Sequence, residues 1–81
     1  MTVRVLAFAR LRELLGFGSR DLELPQGATL GILWAALERE RETVAPFRAT
    51  TRFARNGTLA DAGVRLEDGD EVALMPPVGG G

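Results

Sequence analysis

Apolar and polar residues alternate along the first stretch of the chain, from Thr2 to Ala9. Val3, Val5 and Ala7 hold one set of positions, and Arg4, Leu6 and Phe8 hold the other. A period of two predicts a β-strand with one face in the core. The second face becomes apolar towards the end of the strand, so we expect that face to meet another surface.

The next segments predict a short helix, a second strand and one long helix. Leucines at helical spacing predict a helix over Arg10–Leu15, and alternation over Ser19–Leu24 predicts a strand antiparallel to the first. Thr29 is a favourable N-cap for the long helix. Its apolar stripe follows the i, i+3, i+4, i+7 rule at Leu30, Leu33, Trp34 and Leu37. The charged residues after this stripe predict a solvated face.

The region after the long helix is less regular. Pro46 predicts that Thr43–Ala49 is a loop, because proline lacks the N–H that a continuing helix needs. Thr50–Arg55 predicts a third strand with Phe53 inward, and it ends in Asn56–Gly57, a strong tight-turn pattern. We place a short fourth strand at Val64–Leu66.

The closing segment, Glu71–Met75, again alternates and follows an acidic turn. Val72 and Leu74 are predicted inward, and Ala73 and Met75 outward. The first and last strands are apolar enough to lie side by side in the middle of a sheet that one helix covers. The predicted fold is therefore α+β of the β-grasp type, with a mixed sheet of four to five strands over residues 1–75 and an extended tail over residues 76–81.

Composition excludes several classes of function. The chain has 81 residues, 46% hydrophobic and 26% charged, which is the balance of a globular domain and not of a disordered chain. It has no Cys, His, Tyr or Lys, so a thiol nucleophile, an imidazole base and a Schiff-base amine are absent. A formal net charge of −1 does not indicate the positively charged surface that is typical of nucleic-acid-binding proteins. With no apolar run long enough for a membrane and no leader peptide, the prediction is a cytoplasmic protein.

The tail is the first candidate for function. It reads Pro76, Pro77, Val78, Gly79, Gly80 and Gly81. The two prolines stiffen the exit from the domain, and glycines lack a Cβ and can thread a narrow channel. Extended, six residues reach about 20 Å, enough to carry the terminal carboxylate into another protein's active site. The alternative is an inert solvated end, as termini often are.

A second candidate is an apolar surface near the root of this tail. Phe8, Leu59 and Met75 are each placed where the core face is already occupied, so together they predict an apolar patch for a partner. The alternative is that Phe8 or Leu59 fills a corner of the core. Arg10 and Arg12 lie nearby and suit a partner's carboxylates or ordinary surface charge equally well.

These residues resemble a known family. The opening Phe8-Ala9-x-Leu11-Arg12-Glu13, the Asn56–Gly57 turn, and Asp68 to Ala73 leading into Pro76-Pro77-Val78-x-Gly80-Gly81 are similar to the small subunits of molybdopterin synthase, which are ubiquitin-like sulfur carriers. The likeness spans nearly the whole chain. One departure is Gly79, where family members often carry Ser or Thr.

The resemblance implies a mechanism. An ATP-dependent activating enzyme of the ubiquitin-activating type would adenylate the carboxylate of Gly81, and sulfur from a donor protein would convert it to a thiocarboxylate. The tail, with Gly80 and Gly79, would then enter the large subunit, where sulfur passes to a pterin precursor. Phe8, Leu59 and Met75 would dock the body both on the activating enzyme and on the large subunit, and the family implies a two-plus-two heterotetramer with the large subunit. The resemblance implies no cofactor bound by this chain itself, and ATP belongs to the activating enzyme.

Three alternatives remain open. A related carrier ending in Gly-Gly would supply sulfur to thiamine, transfer RNA or cysteine synthesis. A protein modifier would join Gly81 to a target lysine. A plain interaction module would have an inert tail.

Overall fold

A five-stranded mixed sheet, covered on one face by a long helix, forms the body of the protein in a computed structural model that describes residues 1–77. The strands are β1 (Thr2–Ala7), β2 (Ser19–Glu23), β3 (Arg52–Arg55), β4 (Thr58–Ala60) and β5 (Glu71–Met75). The helices are α1 (Ala9–Leu15) and α2 (Leu30–Glu40), and a 3₁₀ segment covers Glu42–Phe47. The strand order is β2-β1-β5-β3-β4.

The first and last strands lie side by side at the centre, as predicted. β1 and β5 run parallel, with Val5 opposite Val72 and Ala7 opposite Leu74. β2 pairs antiparallel with β1, and β3 pairs antiparallel with β5. The inward residues of both central strands are fully buried, because α2 covers this face. The predicted β-grasp fold, with a mixed sheet and one main helix, is confirmed.

The stripe on α2 forms the centre of the core. Leu30, Leu33, Trp34 and Leu37 are all buried. The Trp34 ring meets the edge of Phe53 on β3, with the ring centroids 6.1 Å apart at 67°. Such edge-to-face pairs add about 0.5–1.5 kcal/mol beyond the buried area. Thr29 caps the helix as predicted, since its hydroxyl accepts a hydrogen bond of 3.2 Å from the N–H of Ile32.

The fourth strand was predicted at the wrong place. It lies at β4, directly after the Asn56–Gly57 turn, and not at Val64–Leu66. Asn56 and Gly57 have φ values of 49° and 85°, which suit the turns that join two adjacent antiparallel strands. The hairpin register, with Ala54 opposite Leu59, therefore places β4 directly after the turn. In the predicted segment only Arg65 makes an isolated bridge, to Thr29.

The loop predicted at Thr43–Ala49 is also partly wrong, because Glu42–Phe47 forms a 3₁₀ segment that includes Pro46. A short 3₁₀ turn tolerates proline because few of its N–H groups need partners. Val44 is fully buried and anchors the segment beneath the end of α2. Smaller differences are that β1 ends at Ala7 and that β3 begins at Arg52.

Candidate functional site

The outer face of the sheet, opposite α2, carries one continuous apolar row across four strands. Leu6 on β1 is opposite Ala73 on β5, Ala73 is opposite Ala54 on β3, and Ala54 is opposite Leu59 on β4. Neighbouring strands are spaced about 4.8 Å apart, so the row extends about 14 Å. Leu59 remains 60% exposed at its far end.

A second pair extends this row towards the end of the sheet where β5 finishes. The N–H of Phe8 donates a hydrogen bond of 3.3 Å to the carbonyl of Leu74, which places Phe8 beside Met75. Phe8 is 46% exposed and Met75 is half-buried. We call these apolar side chains the outer-face patch. Its members are Leu6, Phe8, Ala54, Leu59, Ala73 and Met75.

The structure thus places all of the predicted patch residues outside the core cluster. Phe8 and Met75 are neighbours, whereas Leu59 lies two strands from β5 and is joined to them through Ala54 and Ala73. The sequence analysis missed Ala54 as a member. Alternation from the inward Phe53 points Ala54 outward, but only the strand register shows that it fills the gap in the row.

The chain leaves β5 at the edge of this patch. Pro76 and Pro77 are exposed, and Pro77 lines an open depression of about 720 Å³ together with Phe53, Leu59 and Asp61. The root of the tail therefore passes close to the β4 side of the outer face. The other predicted tail residues, Val78, Gly79, Gly80 and Gly81, lie outside the described residues, and the division at residues 75 and 76 stays a prediction.

Basic side chains border the patch on two sides. Arg52, on β3, is opposite Met75 and exposed. Arg10 pairs with Glu13 at 3.1 Å, with both side chains largely exposed. The Arg12 guanidinium packs over Gly18, where a Cβ would approach its Cζ atom to 3.2 Å. The Arg12 side chain therefore lies against the loop before β2, and a side chain at position 18 would displace it slightly.

The opposite end of the sheet, where β5 begins, is polar and internally paired. Buried Asp70 accepts hydrogen bonds from Arg55 Nε at 2.7 Å, from the N–H of Glu67 at 2.8 Å and from Asn56 Nδ2 at 2.9 Å. Burial alone raises the pKa of Asp70. The bonds from Arg55, Glu67 and Asn56 outweigh burial and hold this pKa below its ordinary value. The acidic turn that leads into β5 is therefore stabilised by hydrogen bonds within the domain.

The chemistry available to residues 1–77 is limited. No group of three or more His, Cys, Asp and Glu side chains there is arranged to hold a metal ion. Every buried side-chain nitrogen or oxygen in that range has a hydrogen-bond partner. Neither α1 nor α2 is long and apolar enough to cross a bilayer. The described surface does carry an exposed apolar face beside the root of the tail.

The fold is that of a ubiquitin-like β-grasp protein. A model of the family described as "ThiS family" matches residues 5–81, and the chain belongs to this family. Among curated relatives, a molybdopterin synthase sulfur carrier subunit from Chlamydomonas reinhardtii is 35% identical and covers 100% of both chains. One from Escherichia coli strain K12 is 37% identical over 98% of this chain and 99% of its own length.

Solved structures agree with this assignment. Subunit 1 of a molybdopterin converting factor assigned in Pyrococcus furiosus has a TM-score of 0.88 at 31% identity, covering 96% of this chain and 99% of its own. SAMP1 from Haloferax volcanii has a TM-score of 0.86 at 28% identity over 100% of both chains. A complex of subunits 1 and 2 of the Helicobacter pylori factor contains a chain with a TM-score of 0.70 at 28% identity, again over 100% of both chains.

Proposed function

We propose that this protein is the sulfur carrier subunit of molybdopterin synthase. The single observation that carries the proposal is the outer-face patch, which is exposed where β5 runs into Pro76 and Pro77. A carrier must dock its body so that its terminus reaches a partner's active site. An apolar face at the root of the tail meets that requirement. The relatives named as sulfur carrier subunits support it.

The chemistry of the proposal is centred on Gly81. A carboxylate is a poor electrophile, so an activating enzyme first transfers AMP from ATP to it and releases pyrophosphate. Sulfur delivered by a donor protein at the oxidation level of sulfide then forms a C–S bond as the bond from the carbonyl carbon to AMP breaks, which releases AMP and leaves a thiocarboxylate. Transfer of that sulfur to the pterin precursor, with water supplying oxygen, restores the carboxylate. The chain itself supplies the carrier group and the docking face, and it binds no cofactor. The proposed location is the cytoplasm.

The partner in the transfer step is the large subunit of molybdopterin synthase. The solved complex of subunits 1 and 2 from Helicobacter pylori supports this partner. We infer that Phe8, Leu59 and Met75 make the apolar part of the contact, with Arg52 at its border. Gly79 and Gly80 enter the partner's channel behind Gly81. The assembly is a two-plus-two heterotetramer, which gel filtration with light scattering measures directly.

Intact-mass spectrometry tests the carrier chemistry. The purified protein is incubated with ATP, a ubiquitin-activating-type adenylyltransferase from the same organism and a sulfur donor. A mass gain equal to replacing one oxygen by sulfur, mapped to Gly81, is expected. A control without ATP should show no gain. An unchanged mass with an enzyme that loads another carrier would contradict the proposal.

A second candidate is a protein modifier. The likeness to SAMP1, the small archaeal modifier protein 1 of Haloferax volcanii, favours it. Modifier activity would join Gly81 to lysines of other proteins. This chain contains no lysine, so it would not form chains of itself through lysine. Mass spectrometry of cell extracts for glycine remnants of the tail on lysines tests this candidate, and their absence from cells that make the protein would reject it.

A further inference from the structure

Ala9 adopts a backbone conformation that its side chain disfavours. Within residues 1–77, only Ala9 and Asn56 are non-glycine residues with positive φ, at 51° and 49°. Asn tolerates the left-handed region and is common in tight turns, so Asn56 needs no further explanation. Alanine has no such compensation. A reason must therefore be found in what the conformation of Ala9 does to its neighbours.

The strained residue is the junction between β1 and α1. Phe8, directly before it, is extended at φ −125° and ψ 155°. The N–H of Phe8 donates to the carbonyl of Leu74 at 3.3 Å, and the carbonyl of Phe8 accepts from the N–H of Arg12 at 3.3 Å. Phe8 is therefore tied to β5 on one side and to α1 on the other. Ala9, the first residue of α1, lies where the chain turns out of β1.

The packing of Phe8 in the free protein does little to offset the free-energy cost of this strain, since Phe8 is 46% exposed on the outer-face patch. Glycine would adopt the same φ without strain, but it would also allow many other conformations. Alanine allows fewer backbone conformations than glycine, so it restricts how the Phe8 backbone is placed between β5 and α1, and with it the position of the ring. A ring held in its bound orientation loses less entropy when a partner covers it.

We propose that Ala9 is a positioning residue that pre-orients Phe8 for docking on the large subunit, at the expense of stability. The proposal rests on the proposed function, because it takes the outer-face patch as the docking surface. It separates two properties that usually change together. Removing the Cβ of Ala9 stabilises the free protein and weakens its complex.

Ala9→Gly tests this inference through two readouts of opposite sign. Relief of the disfavoured φ should raise Tm by about 2–8 °C for a domain of this size. Loss of pre-orientation should weaken binding to the large subunit of the same organism about three- to tenfold, measured by titration calorimetry. The matched control is Ala45→Gly in the 3₁₀ segment beside α2, where φ is negative. It should lower Tm and leave the affinity unchanged.

A double-mutant cycle with Phe8→Ala shows whether Ala9 acts through the ring. If it does, Ala9→Gly weakens binding in the wild-type background and has no further effect once the ring is removed. An unchanged Kd for Ala9→Gly, or equal weakening with and without the ring, would overturn the inference. The proposed function is judged separately: it fails if the wild-type chain does not bind the large subunit at all.

Discussion

The two ends of the sheet treat their side chains in opposite ways. Where β5 begins, the carboxylate of Asp70 is buried and takes three hydrogen bonds from within the domain. Where β5 finishes, Phe8 is apolar and 46% exposed, and Leu59, level with the middle of β5, is 60% exposed. The first arrangement stabilises the fold and needs no partner. The second leaves apolar area in water, which a partner can cover, so the proposed docking surface and the paired polar groups lie in different parts of the sheet.

The outer face shows the same division on a finer scale. Near the polar end, Arg4 pairs with Asp21 at 3.3 Å, and the Thr2 hydroxyl hydrogen-bonds Glu23. Thr2 and Arg4 lie on the same face of β1 as Leu6, but they precede Leu6 along the strand, whereas Phe8 follows it. Polar groups at that end favour contact with water, so the proposed docking surface is confined to the half of the face next to the tail.

Removing the terminus gives the largest expected effect. Deleting Gly81 should abolish sulfur loading, because in the proposed mechanism the activating enzyme adenylates the carboxylate of Gly81. Adding one alanine after Gly81 should do the same. Both variants should keep the wild-type Tm, measured by thermal melting followed by circular dichroism. Loading that survives either change would show that the carrier group lies elsewhere.

A charge inside the patch should separate docking from stability. Met75→Arg should weaken large-subunit binding by at least about 30-fold, the effect of losing a hot-spot contact, while Tm changes little at this half-buried site. Phe8→Ala should act in the same direction. Titration calorimetry measures both.

The matched control for this comparison is Ile32, an exposed apolar residue on α2 with the same 46% exposure as Phe8. Ile32→Ala removes apolar surface from the other layer of the protein and should leave the affinity as in wild type. If Ile32→Ala weakens binding as much as Phe8→Ala, the docking surface is not the outer face.

Damage at the polar end should do the reverse. Asp70→Ala leaves three part-buried donors without their acceptor, which should lower the free energy of unfolding by about 1–3 kcal/mol. Large-subunit affinity should stay unchanged when measured well below the melting temperature. Asp21→Ala is the control, since its ion pair with Arg4 is exposed and worth about 0–1 kcal/mol. Equal losses of unfolding free energy for the two variants would show that the Asp70 hydrogen bonds stabilise the fold no more than an exposed ion pair does.

Acid should produce the smallest effect. Because the pKa of Asp70 is held below its ordinary value of 3.8, its contribution is complete above pH 3.8 and is lost as the pH falls towards the lowered pKa. The difference in unfolding free energy between wild type and Asp70→Ala should therefore narrow below about pH 4. Urea titrations at several pH values measure it. A difference that widens on acidification would give the wrong sign.

The local sequence pattern predicted the elements that are long enough to show a clear hydrophobic period. The stripe on α2 has one period and a capping residue, and the alternation in β1 and β5 assigned their faces correctly. The prediction failed for β4, because Thr58–Ala60 is only three residues long and has too few positions to show a period. Its pairing partner, β3, is what makes it a strand. The 3₁₀ segment was missed because the preference against proline applies to longer helices.

The candidate site divides in the same way. The outward placement of Phe8, Leu59 and Met75 followed from alternation, since the neighbours of each were needed for the core. Ala54 and the continuity of the row did not follow, because they depend on the register between β5, β3 and β4. The left-handed backbone of Ala9 had no basis in the sequence, where an alanine before a helical pattern predicts ordinary helical φ.

The sequence by itself determined the order of the main elements and their inward and outward faces, and it predicted a tail rich in glycine. These features depend on the period of the side chains and on residue type, which are local properties. Only the tertiary structure decided that separate apolar positions form one patch, that Asp70 is satisfied internally, and that Ala9 is strained. Each of these depends on which strands become neighbours, and strand pairing joins residues that are far apart in the chain.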